Sequence, residues 1–268
     1  MFNASRLNVL DFSGRCRLNA LQCMATENGV VNLPNSLACG FSPPFECIEK
    51  DILARAKADA ELLWRRENKA VFRNLHASLS WAFNVVCSAR IVDYLLPSLG
   101  PDIAIENSFL VVKGPRVTFD VPPHQDGINE QIQLDPCRAR SVWIALTSAT
   151  EENGCLHFSP GSHRLGYLPF EISNNPAHMQ GRGKPLTVAT PSSPGDFITA
   201  PISAGHAIVF DTRLVHRSPS NRTNMPRFAF NVRYVAPHRF WKDKERSPSL
   251  TVVSGDPGHF SDVTLVQT

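Results

Sequence analysis

The chain has no long uninterrupted apolar run, no excess of one charge and no closely paired cysteines. A membrane-spanning helix needs about 20 consecutive apolar residues, and no window approaches that, so no membrane partner is expected. Lysines and arginines number 27 against 24 aspartates and glutamates, a formal charge of only +3. The basic residues are scattered and are not interleaved with aromatics, so nucleic acid is not an expected partner either. The opening MFNASRLNVLDFSGR lacks a charged start followed by an apolar core, so it does not read as a secretory signal. The seven cysteines (Cys16, Cys23, Cys39, Cys47, Cys87, Cys137, Cys155) include no C-x-x-C pair and are odd in number. That argues against a disulfide framework and against a paired-ligand zinc site. They are expected to be reduced, mostly as small buried fillers, in a cytoplasmic protein.

What is present is ordinary soluble globular material, 43% apolar and 19% charged, long enough at 268 residues for one well-cored domain. Residues 27–37 read as a short strand broken at Pro34. From Pro44 to about residue 96 the texture is helical. Ile48, Ile52, Ala56, Ala60 and Leu63 recur at three- to four-residue spacing; a second set, Leu79, Phe83, Cys87 and Ile91, stops at Pro97 and Gly100. From Asp102 to Ala236 short strand-like runs take over: IAIENSFLVVK, RVTFDV, SVWIALTSA, CLHFS, LTVAT, DFITA, HAIVFD and RFAFNVRYV. Turns rich in Gly, Pro, Asn and Ser separate them, which predicts an all-β sandwich or barrel fronted by helices. A long Gly-, Pro- and Asn-rich insert (164–186) reads as a loop suited to a lid. The tail (237–268) is polar and Pro-containing, a second lid, a contact surface or a partly disordered end.

One stretch carries chemistry: HQDGINEQIQLDPCRARSVWIAL, opening His124-Gln125-Asp126. In an extended strand His124 and Asp126 project to one face. An imidazole and a carboxylate side by side are two of the three ligands of a 2-His-1-carboxylate triad, which leaves positions open on a non-haem iron. His216, in DTRLVHRS, is the candidate third ligand. Rivals are His157, His163 and His206, and a hydrogen-bonded surface pair is the competing account of His124 and Asp126. Eleven residues after His216, across a Ser-, Pro- and Asn-dense turn, comes Arg227. Facing the metal from the next strand, its guanidinium would grip a carboxylate with two parallel hydrogen bonds. Open metal positions beside a carboxylate clamp describe a seat for 2-oxoglutarate.

KGPRVTFDVPPHQDG, SVWIALTSATEENGCLHFSPGSHRLG, SAGHAIVFDTRLVHRS and NRTNMPRFAFNVRY together resemble successive blocks of the phytanoyl-CoA dioxygenase-like (PhyH) family of Fe(II)/2-oxoglutarate oxygenases. The resemblance runs from about Asn28 to Ala236 and is sharpest from Lys113 to Tyr234. It implies a mainly β fold, a double-stranded β-helix (jelly-roll, cupin-like) core with flanking N-terminal helices. It also implies that His124, Asp126 and His216 are the iron ligands and that Arg227 binds the cosubstrate. Ser218 and Trp143 match positions that contact or line the same pocket. Only His216 carries the downstream arginine at the family spacing, which favours it over its rivals. Halogenating relatives replace the carboxylate ligand by Gly or Ala, so Asp126 disfavours chlorination.

The expectation is therefore a single domain over residues 1–268, a jelly-roll core at about 102–236 behind a helical part at about 44–96. It would use Fe(II), 2-oxoglutarate and O2 to hydroxylate a small molecule in natural-product metabolism, as a monomer or homodimer. Gln125, Gln131, Asn231 and Arg233 are candidate substrate contacts. Arg227, Ala229, Asn231 and Arg233 share one strand face, and burying two arginines there is costly unless anions are present. The rival readings are a cupin-type metal-dependent isomerase or hydrolase without 2-oxoglutarate, and a non-catalytic jelly-roll binding protein.

Overall fold

Side-chain alternation along the strands sorts the chain into layers. The computed structural model describes residues 37–130, 132–178, 186–189, 196–237, 249–260 and 264–265. Strand β1 (Phe45–Glu46) leads into helix α1 (Lys50–Glu67), strand β2 (Val71–Arg73) and helices α2 (Ser80–Val86) and α3 (Ala89–Leu99). Strands follow: β3 (Ile103–Lys113), β4 (Val121–His124), β5 (Ala139–Ala145), β6 (Leu156–Phe158), β7 (Phe170–Ile172), β8 (Leu186–Val188) and β9 (Ile198–Ala200). The series ends with β10 (His206–Asp211), β11 (His216–Ser218), β12 (Arg227–Val235), β13 (Ser249–Ser254) and β14 (Thr264–Leu265).

The larger sheet runs β1-β10-β5-β12-β3-β13-β14, with β2 also paired to β3; the smaller runs β4-β11-β6-β9. Apart from the parallel β13–β14 contact, the described pairs are antiparallel. On one face of the larger sheet Val142, Ile144, Phe228, Phe230 and Val232 pack with Ala56, Ala60, Val85, Ile91 and Leu95 of the helices. The alternate residues Trp143, Ala145 and Ala229 face inward, against Leu156 and Phe158 of the smaller sheet. Each fully buried Phe, Leu or Val in these layers contributes about 1.5–3 kcal/mol, which fixes the register of both faces. This is the expected jelly roll with helices on its outer face.

Helix α1 forms where the apolar spacing placed it, and it ends at Asn68 in the left-handed region (φ 50°) with Arg65 and Arg66 in its last turn. The second helical stretch is two helices, broken at Cys87 and Ser88. Pro97 lies inside the last turn of α3, where a missing N–H costs one bond only, and Gly100 (φ 84°) ends it. The run RVTFDV is mostly not strand: Arg116 has φ 53° and pairing begins at Val121. Its backbone is held by loops instead, Phe119 N–H donating to Ser220 Oγ at 2.8 Å and Asp120 N–H to Ala177 O at 2.9 Å. In the tail, β13 extends the larger sheet along β3, and Leu250 and Phe260 bury against Ile132, Leu134 and Ala139. The insert contributes β7, paired with β8. The expected strand at 27–37 falls almost wholly outside the described residues, as do Cys16, Cys23 and Gln131. Cys47, Cys87, Cys137 and Cys155 are free thiols.

Between β3 and β12 the register shifts: Arg233 pairs with Asn107, but Tyr234 pairs with Ile105. Glu106 is therefore an extra residue, a bulge.

Candidate metal centre

His124 closes β4 and His216 opens β11, directly opposite each other in register, with ring centroids 4.2 Å apart. Asp126 lies beyond the end of β4, so a turn, not strand alternation, brings it beside His124. Gly127 ties that turn, its N–H donating to Thr212 O at 2.9 Å. A Cβ there would lie 2.2 Å from the Tyr167 hydroxyl oxygen, which leaves room for glycine alone.

One ligand atom from each of His124, Asp126 and His216 lies within 4.8 Å of the others. This is the one such group of three or more His, Cys, Asp or Glu among the described residues. Asp126 Oδ1 is 3.5 Å from His124 Nε2 and 3.7 Å from His216 Nε2. Each histidine turns its other nitrogen to a carbonyl two residues back: His124 Nδ1 lies 2.8 Å from Pro122 O and His216 Nδ1 2.9 Å from Leu214 O. Such bonds hold Nδ1 as the donor and leave Nε2 as the ligating lone pair. The Phe210 and His216 rings meet edge to face, centroids 4.8 Å apart and planes at 65°, which restrains the His216 ring.

The second carboxylate oxygen is occupied by the protein. Ser141 Oγ donates to Asp126 Oδ2 at 2.7 Å, and Asn231 Nδ2 donates to the same oxygen at 3.0 Å and, more distantly, to Oδ1 at 3.3 Å. Burial opposes ionisation of Asp126, but His216, His124 and Arg233 outweigh it and hold the carboxyl well below the usual range. The site thus presents one carboxylate oxygen and two imidazole nitrogens on one face, donors that fit a divalent transition metal with open positions.

Arg227 is 1% exposed on the same inner face, with its guanidinium carbon 5.3 Å from the centroid of the Trp143 ring. Its Nε and Nη1 have no hydrogen-bond partner. Burial pulls its pKa down to about 10, so it is still charged at neutral pH. A buried cation with two unanswered donors calls for an anion. Ser218 is buried nearby in the chain's path and donates to Gly154 O at 2.9 Å. Beside Arg227 in register, Lys113 sends its ammonium to Phe119 O at 2.8 Å, Ser218 O at 2.6 Å and Pro219 O. It thereby stitches the approach to β4 to the end of β11.

Of the four candidate substrate contacts, Gln125 is buried with its amide committed to the chain: to Gly166 O, Arg213 O and Leu168 N. Asn231 and Arg233 both serve Asp126, Arg233 Nη1 donating to its backbone oxygen at 2.8 Å. Gln131 lies outside the described residues. The rival histidines stand apart from the cluster: His157 on β6 pairs with Arg217, His163 lies in a short helix after β6, and His206 begins β10. Sequence reasoning missed Ser141, although its two-residue offset from Trp143 on one strand would have found it. It also missed Glu106, whose placement depends on the bulge.

Comparison with known proteins agrees with this geometry. A phytanoyl-CoA dioxygenase from Arabidopsis thaliana is 31% identical over 132 residues, covering 49% of this chain and 44% of that protein. The chain spans about half the length of the curated relatives it matches. Among solved structures, the apo non-heme monooxygenase ThoJ superposes with a TM-score of 0.74 at 24% identity, covering 88% of each chain. The epimerase SnoN, in complex with Fe3+, alpha ketoglutarate and nogalamycin RO, superposes with a TM-score of 0.61 at 20% identity, covering 76% and 83%. These two likenesses show the jelly-roll fold. The sequence model of phytanoyl-CoA dioxygenase (PhyH) matches residues 25–229, which takes in His124, Asp126, His216 and Arg227, and the chain belongs to that family.

Proposed function

We propose that this protein is an Fe(II)- and 2-oxoglutarate-dependent oxygenase that oxidises, most simply hydroxylates, a C–H bond of a small molecule. The observation that carries the reading is Arg227, a buried guanidinium with two unpartnered donors on the same inner face as the His124–Asp126–His216 cluster. A metal-dependent isomerase or hydrolase has no use for that cation, whereas the distal carboxylate of 2-oxoglutarate answers it with paired, charge-assisted bonds.

His124 Nε2, His216 Nε2 and Asp126 Oδ1 would hold the iron, and Arg227, with Ser218 and Trp143, would seat the cosubstrate. When bound, iron and 2-oxoglutarate couple decarboxylation to succinate and CO2 with the use of O2 to oxidise the substrate. The chain's own part is positioning and exclusion of water. Ser141 and Asn231 occupy Asp126 Oδ2, so the carboxylate offers the metal one oxygen and blocks no second position. The Trp143 ring closes one side of the Arg227 guanidinium and keeps it dry, which strengthens its attraction for a carboxylate.

The likeness to SnoN, a structure holding nogalamycin RO, supports a natural-product substrate. Asn231 and Arg233 are proposed to act on substrate only through Asp126. Residues 164–178, whose β7 pairs with β8, are proposed as part of a lid, the remainder of the expected lid (179–185) lying outside the described residues. No helix among the described residues is long and apolar enough to cross a membrane.

The test is anaerobic addition of Fe(II), then 2-oxoglutarate, to the metal-free protein. A weak visible charge-transfer band that needs both and disappears in Arg227→Ala is expected. Metal binding without any such band would overturn the oxygenase reading in favour of a cosubstrate-free metalloenzyme; no metal binding would favour a non-catalytic binding protein.

A further inference from the structure

We propose that Glu106 is a positioning residue for the metal centre: through Arg233 it fixes the main chain of Asp126 and keeps that guanidinium off the ligand carboxylate. The inference rests on the metal-centre reading above and concerns side chains that touch neither metal nor cosubstrate.

The backbone puts Glu106 there by a local irregularity. Ile103 and Ile105 of β3 join the helix-facing core, and so do Leu110 and Val112, although the two sets differ in parity. An extra residue must lie between them, and the pairing identifies it as Glu106. At a bulge two consecutive residues oppose a single partner, which turns Glu106 away from the helices and toward the Asp126 side. Regular alternation from Asn107 would have sent its carboxylate into the Leu110 layer.

Once there, its Oε2 forms an ion pair with Arg233 Nε at 2.8 Å, a charge contact that is not aligned as a hydrogen bond, with both side chains under 10% exposed (9% and 6%). Arg233 in turn donates from Nη1 to the Asp126 carbonyl at 2.8 Å and lies 5.7 Å from the Phe109 ring centroid. Among the described residues Glu106 is the one carboxylate in ion-pair contact with Arg233. The nearby carboxylate that would attract it otherwise is Asp126 itself. A buried guanidinium stripped of its counter-ion is costly and seeks another anion. An Arg233–Asp126 carboxylate pair would compete with the metal for the ligand oxygen. Glu106 therefore anchors the cation that steadies Asp126 and prevents the same cation from capturing it.

The experiment is an anaerobic Co(II) titration of the metal-free protein, followed by the visible bands of the bound ion. Wild type, Glu106→Gln, Glu106→Asp and the double variant Glu106→Gln/Arg233→Met are compared, with a melting curve of each metal-free protein. Glu106→Gln should raise the Co(II) Kd by roughly 10–100-fold. The double variant should regain at least half of that loss on a logarithmic scale, because capture of the carboxylate by the displaced charge outweighs the bond to the Asp126 carbonyl that goes with it. A plain packing role makes the opposite prediction: the second lesion deepens the loss. That outcome, or an unchanged Kd in Glu106→Gln, overturns the proposal. If Glu106→Gln does not fold, Glu106→Asp decides: a Kd between the wild-type value and tenfold weaker, with altered bands, supports the proposal, and wild-type bands and Kd overturn it. Wild-type protein that binds no Co(II) overturns the metal-centre reading itself, a result distinct from all of these.

Discussion

Asn231 donates its side-chain amide to Asp126 Oδ2 at 3.0 Å, the oxygen that the two histidines do not face. Strand β12 thus reaches the metal centre from behind, and the same strand carries Arg227 four residues earlier. Support for the proposed ligand and the proposed clamp for the cosubstrate share one rigid element.

Replacing Asn231 by Leu, with Ser141→Ala, should free Oδ2 to swing toward the metal. We expect metal affinity to fall by roughly 10–100-fold, together with a change in the visible spectrum of the Co(II) protein. An unaltered spectrum would show that the two donors do not set how Asp126 binds.

Arg227→Met separates binding from stability. Losing a charge-assisted pair to the cosubstrate costs about 1.5–3 kcal/mol, so the 2-oxoglutarate KM should rise by one to two orders of magnitude. The cofactor-free protein should behave oppositely, since a buried cation with unanswered donors is removed. Its melting temperature should rise by a few degrees, about 2–4 °C for each kcal/mol gained. A melting temperature that falls would mean the guanidinium is satisfied within the fold.

The Lys113 clamp should be sensitive to its surroundings. Gly154 has φ 82°, and a Cβ on it would sit 2.2 Å from Pro219 O and 3.1 Å from Lys113 Cδ. Gly154→Ala should therefore destabilise the fold by about 2 kcal/mol or more, read from urea unfolding. Lys113→Met should do at least as much by leaving three carbonyls without their donor. Equal midpoints for wild type and either variant would refute the clamp.

Acid sensitivity should centre on His76. It is buried between Ser108 Oγ (2.7 Å) and Thr251 Oγ1 (3.1 Å), joining β3 to β13, and burial pulls its pKa down to about 4. The folded state holds the neutral ring, so between the unfolded value near 6.5 and about 4 the unfolded chain binds more protons. Stability from this group is full above pH 6.5 and is lost as pH falls toward 4, by roughly 2 kcal/mol after allowance for partial solvent screening. Urea midpoints at pH 7.5 and 5 should show the decline, and His76→Gln should flatten it.

Much of this was legible in the sequence because it depends on repeating patterns. Two-residue alternation in RFAFNVRYV and SVWIALTSA, together with the order of the blocks, gave β12, β5 and the inward residues. Three- to four-residue spacing gave α1. The failures come where tertiary contacts override pattern. RVTFDV alternates well, yet its backbone partners lie in loops, so no strand forms before Val121. The strand at Ser249–Ser254 is short and set in polar chain, and only its docking along β3 makes it a strand. Gln125 and Arg233 are polar residues at the right place, but their bonds inside the protein are visible only in three dimensions.

The two faces of β12 have a joint consequence for fidelity. A slip of one residue in its pairing would move Phe228, Phe230 and Val232 into the interior beside the His124–Asp126–His216 cluster and turn Arg227 and Asn231 toward the helices. Such an error could not pass as a folded but inactive protein, because it would also dismantle the largest apolar layer. The alignment of the reactive centre is thus proofread by hydrophobic burial, and folding itself rejects molecules in which the chemistry is misplaced.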